Sequence, residues 1–128
     1  MPDAQLSFRE VTDTELLIEF RTHSELQKFD DARTLSMFCK VYGAYVDNNF
    51  AGYIAIDGAQ RELSSLFVLS YYRNLGIANQ LLERYSSVAD YVCCYEDNTV
   101  AFALYQKHGF TEKHKTYHSH TYTTLRKP

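Results

Sequence analysis

The beginning of the chain shows first a strand-like and then a helix-like arrangement of apolar residues. Residues 6–11 fit a short strand, and residues 13–22 carry apolar side chains at helical spacing. Thr12 and Glu15 match a capping box, in which each side chain accepts a hydrogen bond from the other residue's backbone amide. The pattern therefore predicts a helix that begins directly after Thr12.

A second short helix is predicted directly after the first. Residues 24–29 have helix-compatible spacing, and Ser24 followed three positions later by Gln27 fits another cap. Residues 30–40 mix charged, small and apolar positions without a clear period, so the pattern assigns them no element.

Three strands are predicted in the middle of the chain. Residues 40–46 and 50–56 are rich in β-branched and aromatic side chains, and the turn-forming residues 47–49 between them indicate a hairpin. The Asp-Gly pair at 57–58 forms a further turn. Residues 62–69 then make a third strand, with apolar density rising toward its end.

The remainder of the chain alternates helices with strands. A helical pattern covers residues 75–88, a short apolar strand covers 91–95, and a second helix covers 98–108. Gly109 follows that helix, at the position where a left-handed terminal residue is favoured. Two further strand-like stretches share residues 110–126.

The order of these elements predicts an α/β (α+β) fold. Strands joined by a helix run parallel, whereas strands joined by tight turns run antiparallel. We therefore expect a mixed, mostly antiparallel central sheet of six to seven strands with flanking helices on both faces. Because 128 residues suffice for one domain and not for two of ordinary size, residues 1–128 are expected to form a single domain.

Composition changes this picture only by excluding function classes. Lys and Arg total 13 against 16 Asp and Glu, and the formal net charge is −3. The basic residues are dispersed rather than gathered in a stripe, which argues against a nucleic-acid partner. The aromatic content, with 11 Tyr, 8 Phe and no Trp, fits a core built on a sheet.

The three cysteines, Cys39, Cys93 and Cys94, do not form the even, spaced set of a disulfide framework. We expect reduced thiols that serve as small apolar residues, and hence a reducing, cytoplasmic location. No apolar run reaches the roughly 18 residues of a membrane span. Residues 1–5 lack the basic-then-apolar pattern of a signal sequence, so no signal peptide is expected, and no membrane partner is predicted.

Three histidines near the end of the chain, His114, His118 and His120, share one face of a predicted strand. A zinc site usually takes a tetrahedral set of ligands, and no Cys or carboxylate accompanies these histidines at ligand spacing. We interpret them as a solvated strand face and predict no metal site.

The first chemical signal is the segment 73–78, where a predicted strand ends and a helix begins. The first amides of a helix have no internal partner, and the helix dipole places partial positive charge there, so this end suits a phosphate. Gly76 lets the backbone approach an oxygen closely, and Arg73 can add a charged contact. A tight turn that uses Gly only for packing is the alternative. Neither a Walker loop nor a dinucleotide fingerprint is present.

The second chemical signal lies on the following helix. Asn98, Ala101 and Tyr105 are spaced i, i+3 and i+7, so they share one helix face. Taken singly, Asn98 also fits a helix cap and Tyr105 also fits a core position. Their place in the chain, one helix and one strand after the phosphate turn, favours a shared site.

These segments resemble the GCN5-related N-acetyltransferase (GNAT) superfamily. Residues 66–68 and 72–78 are similar to the family's strand and its Arg/Gln-x-x-Gly-x-Gly/Ala turn, and residues 8–12 resemble its opening strand. Residues 98–110 match its second motif. The matching positions are Asn98, Ala101, Leu104, Tyr105, Lys107, Gly109 and Phe110.

The chain departs from the family pattern at the turn. Ser70 stands where many members have Pro, and Asn74 replaces a common Gly. Asn tolerates a left-handed backbone, so the turn is expected to keep its shape. Ala78 is an accepted variant of the last Gly.

The resemblance implies acetyl-CoA as co-substrate and a splayed pair of parallel strands, here 62–69 and 91–95. Turn amides would receive the diphosphate, the end of the first strand would pair with the pantetheine arm as an added strand, and Tyr105 would face the sulfur. Asn98 would bond the arm further along. The implied cofactor-binding residues are Phe67, Val68, Leu69, Arg73, Asn74, Leu75, Gly76, Ile77, Ala78, Asn79, Asn98, Ala101 and Tyr105.

Acyl transfer to an amine also needs a proton acceptor and a proton donor. We expect Tyr105 to protonate the departing thiolate, because a phenol carries its proton near neutral pH. Glu62 is the first candidate base and Glu96 the second, with water as a further possibility. A solvated glutamate at a strand end is the alternative interpretation of each.

The predicted function is therefore N-acetyltransfer from acetyl-CoA to a primary amine by direct attack in a ternary complex. The acceptor is a small molecule, a Lys side chain or an N-terminus, and the chain is expected to be a monomer or homodimer. Two other classes remain open. One is a non-catalytic acyl-CoA-binding module that regulates a protein partner, and the other is a structural α/β interaction domain without affinity for CoA.

Overall fold

A mixed sheet forms the centre of the computed structural model, which describes residues 4–115 and 122–128. The strands are β1 (Leu6–Glu10), β2 (Lys40–Val46), β3 (Asn49–Asp57), β4 (Glu62–Val68), β5 (Tyr91–Tyr95), β6 (Glu112–Lys115) and β7 (Tyr122–Arg126). Within the described residues, these seven strands are ordered β1-β2-β3-β4-β5-β7-β6. Among them, only β4 and β5 pair in parallel, and every other neighbouring pair is antiparallel. The predicted mixed, mostly antiparallel sheet is confirmed.

Helices cover both faces of the sheet, as predicted. The described residues form α1 (Asp13–Thr22), α2 (Ser24–Phe29), α3 (Ala32–Phe38), α4 (Ile77–Tyr85) and α5 (Thr99–Lys107). Buried residues of α1, α2 and α3 share one core with one sheet face, and those of α4 and α5 share a second core with the other. None of the described helices has the length and apolar character needed to cross a bilayer.

The structure confirms one of the two predicted N-terminal helix caps and contradicts the other. The Thr12 hydroxyl accepts from the Glu15 amide and the Glu15 carboxylate accepts from the Thr12 amide, which confirms the capping box. The predicted Ser24–Gln27 cap is wrong, because Ser24 is already the first residue of α2. Gln27 instead donates from Nε2 to the Phe20 carbonyl at 2.7 Å, a contact that ties α2 to α1.

Several element boundaries reflect backbone geometry that periodicity does not show. The helix predicted over 75–88 begins at Ile77, because Gly76 has a φ of 76° and lies in the left-handed region. It ends at Tyr85 and continues as a single 3₁₀ turn, Ser86–Val88. Gly109, with φ of 98°, ends α5 as predicted.

The stretch without a predicted element contains α3. Asp31 caps this helix by accepting from the Arg33 amide at 3.1 Å. Ala32 and Leu35 are buried on the inner side of α3, whereas Met37 is 73% exposed. The apolar residues of α3 therefore do not all lie on one helix face.

Candidate active site

The parallel strands β4 and β5 separate soon after they begin. Their pairing comprises only Glu62 with Tyr91 and Leu63 with Val92, although β4 continues to Val68. Over the same length β5 stays paired with β7. The two strands therefore diverge, and a cleft opens beside the second half of β4, as the splayed pair implied by the family resemblance requires.

The register of β4 against β3 determines which of its backbone groups face this cleft. The Leu69 amide donates to the Ala51 carbonyl at 2.8 Å, so the backbone of Leu69 points toward β3. Backbone groups of successive residues in an antiparallel strand point to opposite sides. Phe67 therefore also faces β3, whereas Leu66 and Val68 present their amide and carbonyl groups to the cleft.

Close packing of β3 on β4 supports this register. A Cβ on Gly52 would lie 2.5 Å from the Phe67 carbonyl oxygen and 2.9 Å from Val68 Cα. Only a glycine permits that approach. The packing of β3 on β4 therefore fixes the position of the β4 edge that faces the cleft. Of the three residues predicted to pair with the donor arm at the end of this strand, Val68 presents its backbone to the cleft, while Phe67 contributes its side chain.

The turn after β4 is built from two left-handed residues. A short 3₁₀ turn, Ser70–Tyr72, follows the strand, and Asn74 and Gly76 then adopt φ of 66° and 76°. Asn74 accordingly replaces Gly without loss of the turn geometry, because Asn tolerates this conformation. The chain is thereby redirected so that α4 starts at the mouth of the cleft.

The first amides of α4 are unoccupied hydrogen-bond donors. Gly76 precedes the helix without a side-chain cap, and the first turn carries no acidic residue. The first intrahelical bond runs from the Gln80 amide to the Gly76 carbonyl at 3.1 Å. No described residue accepts a hydrogen bond from the amides of Ile77, Ala78 or Asn79. These amides lie at the positive end of the helix dipole, which suits a phosphate.

A cavity of about 520 Å³ joins the turn, the end of β4 and the start of α5. Most of the predicted cofactor-binding residues line it. They are Phe67, Val68, Arg73, Asn74, Gly76, Ile77, Ala78, Asn79, Asn98, Ala101 and Tyr105. The two signals separated in the sequence therefore meet at one cavity.

Two predicted residues have side chains outside this cavity. Leu69 is 4% exposed and belongs to the core beneath α1, α2 and α3. Leu75 is 42% exposed and lines a separate cavity of about 170 Å³ on another side of the turn. Asn79 lines the main cavity, but its side chain bonds Glu83 and His108, which joins α4 to α5.

Asn98 and Tyr105 occupy opposite ends of the cavity-facing side of α5. Asn98 precedes the helix, but its side chain makes no capping hydrogen bond. The alternative in which the Asn98 side chain serves only as a helix cap is therefore not observed. Tyr105 is 7% exposed, and its ring contacts Phe110 edge-on at 6.3 Å. Its hydroxyl makes no hydrogen bond with another residue in the described part of the chain.

Burial affects the protonation of Tyr105. The surrounding apolar side chains, with a smaller contribution from the Cys94 thiol, raise the pKa of Tyr105 above its ordinary value. The phenol therefore keeps its proton across the neutral range. The raised pKa also makes this phenol a weaker acid, so the position of Tyr105 in the cavity lining, and not its pKa, is what favours it as the proton donor.

The two candidate bases lie away from the lining of the cavity. Glu62 begins β4 at the closed end of the splay, where the Ser64 hydroxyl donates to its Oε1 at 3.4 Å. Burial raises the pKa of Glu62, and the Ser64 contact opposes part of that change. Glu96 instead pairs with Lys113, with 3.6 Å between Oε1 and Nζ.

The predicted absence of a metal site concerns residues that are only partly described. Among residues 4–115 and 122–128, no group of three or more His, Cys, Asp and Glu side chains is arranged to hold a metal ion. His114 lies on β6, next to Glu112. His118 and His120 lie outside the described residues.

The predicted cofactor-binding set omits several residues of the site, although Leu66, Tyr72 and Leu104 belong to the motifs that carry the family resemblance. Phe29, at the end of α2, and Tyr72, in the turn after β4, line the cavity, and Leu66, Val100 and Leu104 also line it. Phe29 packs on Phe67 with 4.6 Å between ring centroids. No local pattern links α2 to the end of β4, because the two segments are far apart in the chain and meet only on folding.

Comparisons with known proteins agree with this architecture. A family model described as "Acetyltransferase (GNAT) domain" matches residues 18–124. No curated protein sequence matches the chain.

Solved structures resemble the fold over nearly the whole chain. PaiA N-acetyltransferase from Thermoplasma acidophilum, in complex with coenzyme A, superimposes with a TM-score of 0.69 at 18% identity, covering 95% of this chain and 99% of that one. An acetyltransferase from Thermus thermophilus gives 0.71 at 20% identity, covering 94% and 95%. The ribosomal-protein-S18-alanine N-acetyltransferase from Escherichia coli gives 0.72 at 14% identity, covering 94% and 90%. At these identities the likeness shows the fold.

Proposed function

The chain belongs to the GNAT family of acetyltransferases, and from this premise we propose that it transfers the acetyl group of acetyl-CoA to a primary amine. One observation carries the proposal. The residues whose unoccupied amides begin α4, Val68 with its cleft-facing backbone, and Tyr105 all line one cavity. Coenzyme A bound to the similar PaiA protein supports the same donor here.

The chain's own groups fit such a donor. The amides of Ile77, Ala78 and Asn79 would hold the diphosphate, with Arg73 adding a positive charge. The amide and carbonyl of Val68 would pair with the amides of the pantetheine arm, which would lie in the gap left by β5. Asn98, whose side chain does not cap α5, would bond the same arm.

The proposed reaction needs proton transfers at two places, from the attacking amine and to the departing thiolate. The thioester supplies an activated acetyl group, its carbon–sulfur bond breaks, and a carbon–nitrogen bond to the amine forms. A lysine-type amine has a pKa of about 10.4, so one proton must leave it before attack at neutral pH, and the nitrogen loses a second proton once the carbon–nitrogen bond has formed. One of these protons replaces the proton that Tyr105 gives to the thiolate, and the other passes to solvent. Tyr105 would protonate the thiolate, and a cleft-facing amide of β4 would stabilise the carbonyl oxygen as charge develops.

Glu62 would accept the amine proton through water rather than directly. It begins the same strand that carries Val68, and its side chain is not part of the cavity lining. Burial raises the pKa of Glu62, which brings this carboxylate closer to the range useful for a base. Glu96 is the second candidate, and its contact with Lys113 makes it the weaker one.

The position of the glutamates also favours a second candidate function. Because neither Glu62 nor Glu96 lines the cavity, a non-catalytic acyl-CoA-binding module would fit the same donor contacts. It would bind acetyl-CoA without turning it over, and it would act by presenting the bound form to a protein partner.

Two measurements separate these functions. Thermal shift with acetyl-CoA tests binding, since a ligand that binds only the folded state stabilises it. Release of free thiol, measured with an alkyl diamine, free lysine and a short peptide with a free N-terminus, then tests turnover. Binding with amine-dependent thiol release supports the acetyltransferase. Binding without release supports the module, and no binding contradicts both.

A further inference from the structure

The two helices that border the cavity pack on different parts of the sheet. Helix α4 packs on β2, β3 and β4, whereas α5 packs on β5, across the gap between the parallel strands. In the proposed donor site the diphosphate amides belong to α4, while Asn98 and Tyr105 lie at the two ends of the cavity-facing side of α5. A donor bound by all of these groups must therefore bridge the two helices.

Strand pairing joins the two parts of the sheet over only a short length. β4 and β5 share two residue pairs, Glu62 with Tyr91 and Leu63 with Val92, and then diverge. A common apolar core lies beneath both helices and keeps them folded together. Because apolar packing is not directional, the exact spacing of α4 and α5 beside the cavity depends on more specific contacts.

One such contact is a side-chain hydrogen bond between the helices. His108 Nε2, at the end of α5, lies 2.8 Å from Asn79 Oδ1 in the first turn of α4. Asn79 Nδ2 in turn donates to Glu83 Oε1 at 3.1 Å. Within residues 4–115 and 122–128, no other side-chain hydrogen bond joins α4 to α5 or to its last turn. We call this bond the Asn79–His108 link.

The chemistry of Glu83 fixes the direction of the link. A carboxylate only accepts hydrogen bonds, so Asn79 turns its Nδ2 toward Glu83 and its Oδ1 toward His108. The imidazole must then carry a proton on Nε2 and donate it to Asn79. Burial lowers the pKa of His108 below 6.5, so the neutral ring with its proton on Nε2 is the expected form at neutral pH.

The link connects the phosphate end of α4 to the cavity-facing side of α5. The backbone amide of Asn79 is one of the three unoccupied donors that begin α4, while its side chain binds His108. His108 follows Ala101 by seven residues and Tyr105 by three, which is the spacing of one helix face. The His108 amide donates to the Leu104 and Tyr105 carbonyls, so its backbone is held independently of its side chain.

We propose that His108 is a positioning residue, which through Asn79 sets the spacing of α4 and α5 so that both helices bind one donor molecule. The inference rests on the proposed function, because it takes acetyl-CoA as the occupant of the cavity. His108 does not line the cavity itself. It stands between Lys107 and Gly109 at a position that the second motif leaves open, so the family resemblance gives it no role.

The test compares two compounds in the His108→Ala variant by calorimetry. Acetyl-CoA would contact both helices, whereas 3′-phospho-ADP, which keeps the diphosphate and lacks the pantetheine arm, would contact only the α4 side. Loss of the link should raise the Kd of acetyl-CoA at least about fivefold, because the two helices are no longer preorganised for one ligand. The Kd of 3′-phospho-ADP should stay within about twofold.

Three matched variants separate the link from other effects of the substitution. His108→Gln keeps an amide donor near the place of Nε2 and should recover most of the affinity for acetyl-CoA. Asn79→Ala keeps its backbone amide, and adding it to His108→Ala should cause little further loss, since both changes remove one bond. His23→Ala removes a histidine at another helix end, stacked on Phe50 and outside the cavity lining, and should bind acetyl-CoA normally.

Nitrogen NMR of the imidazole tests the link without a ligand. The His108 signals, assigned by their loss in His108→Gln, should show the neutral ring protonated on Nε2 at neutral pH. A ring protonated on Nδ1 would contradict the link.

The binding results distinguish failure of this inference from failure of the proposed function. Unchanged binding of acetyl-CoA in His108→Ala, or an equal weakening of both compounds, overturns the positioning role alone. If the wild-type protein binds no acetyl-CoA, the proposed function fails and the inference fails with it.

Discussion

Arg73 donates a hydrogen bond from Nε to the Val68 carbonyl oxygen, 3.0 Å away. The carbonyl belongs to the strand edge that faces the cleft, so a side chain of the phosphate turn covers the edge with which the donor arm is proposed to pair. In the proposed complex Arg73 exchanges this carbonyl for the diphosphate. The contact therefore connects the two halves of the proposed donor site.

Replacement of Arg73 by Ala should weaken acetyl-CoA binding. The loss of a charge-assisted contact is expected to raise the Kd about tenfold, partly offset by the release of the Val68 carbonyl. Calorimetry measures the change. Arg84→Ala is the matched control, because it removes an α4 cation that lies over Phe8 rather than in the cavity. Equal effects of the two variants would show that Arg73 acts only through net charge.

Replacement of Gly76 by Ala should affect binding more than folding. A left-handed φ costs a residue with a Cβ about 1 kcal/mol. An added Cβ meets no protein atom within 4 Å, so no further loss of stability is expected. The same methyl group lies where the diphosphate would approach the backbone, and calorimetry should show weaker binding of acetyl-CoA.

Gly109→Ala provides the control for Gly76. Gly109 has φ of 98° and the same open surroundings, but it follows the far end of α5. Thermal melts of the two variants should show similar losses of stability, and only Gly76→Ala should bind acetyl-CoA more weakly. A normal Kd for Gly76→Ala would remove that residue from the donor site.

Replacement of Tyr105 by Phe should lower kcat at least about tenfold, because the thiolate would lose its proton donor. KM for acetyl-CoA should change little. Stability should be maintained, since the hydroxyl makes no hydrogen bond with the described residues and its removal leaves no partner unpaired. Tyr85→Phe, which removes a hydroxyl from a ring stacked on Tyr42, is the control. Unchanged turnover in Tyr105→Phe excludes Tyr105 as the acid.

The dependence of rate on pH should identify the base. A base acts in its deprotonated form, and burial raises the pKa of Glu62 above 4.5. The value of kcat/KM should therefore fall as the pH decreases through that raised pKa. Glu62→Gln should reduce the rate and remove this acidic limb, whereas Glu96→Gln should retain it. The reverse pattern would assign the base to Glu96, and a limb retained in both variants would show that neither glutamate is the titrating group, as expected if the limb reports ionisation of the substrate amine.

The parts of the fold set by local chemistry are predictable from the sequence. Thr12 and Glu15 lie three residues apart, and their capping box locates the start of α1. The observed bounds of β5 match the predicted strand at 91–95, because polar residues flank its apolar run. Asn74 is expected to tolerate a left-handed backbone, and its φ of 66° confirms this.

The parts of the site that depend on distant contacts are not predictable from local patterns. Helix α3 escapes prediction because its exposed apolar residues obscure the helical period. The register that turns Val68 toward the cleft and Leu69 away from it depends on β3. Asn79 and His108 lie 29 residues apart, and nothing near either residue indicates their contact.

The most direct test is calorimetric titration of the wild-type protein with acetyl-CoA and with acetyl-pantetheine, which lacks the diphosphate together with the adenosine 3′-phosphate that it carries. If the amides that begin α4 hold the diphosphate, acetyl-CoA should bind at least about 100-fold more tightly than acetyl-pantetheine, a difference of roughly 2.7 kcal/mol. Equal affinities for the two compounds, or no heat with acetyl-CoA, would contradict the account.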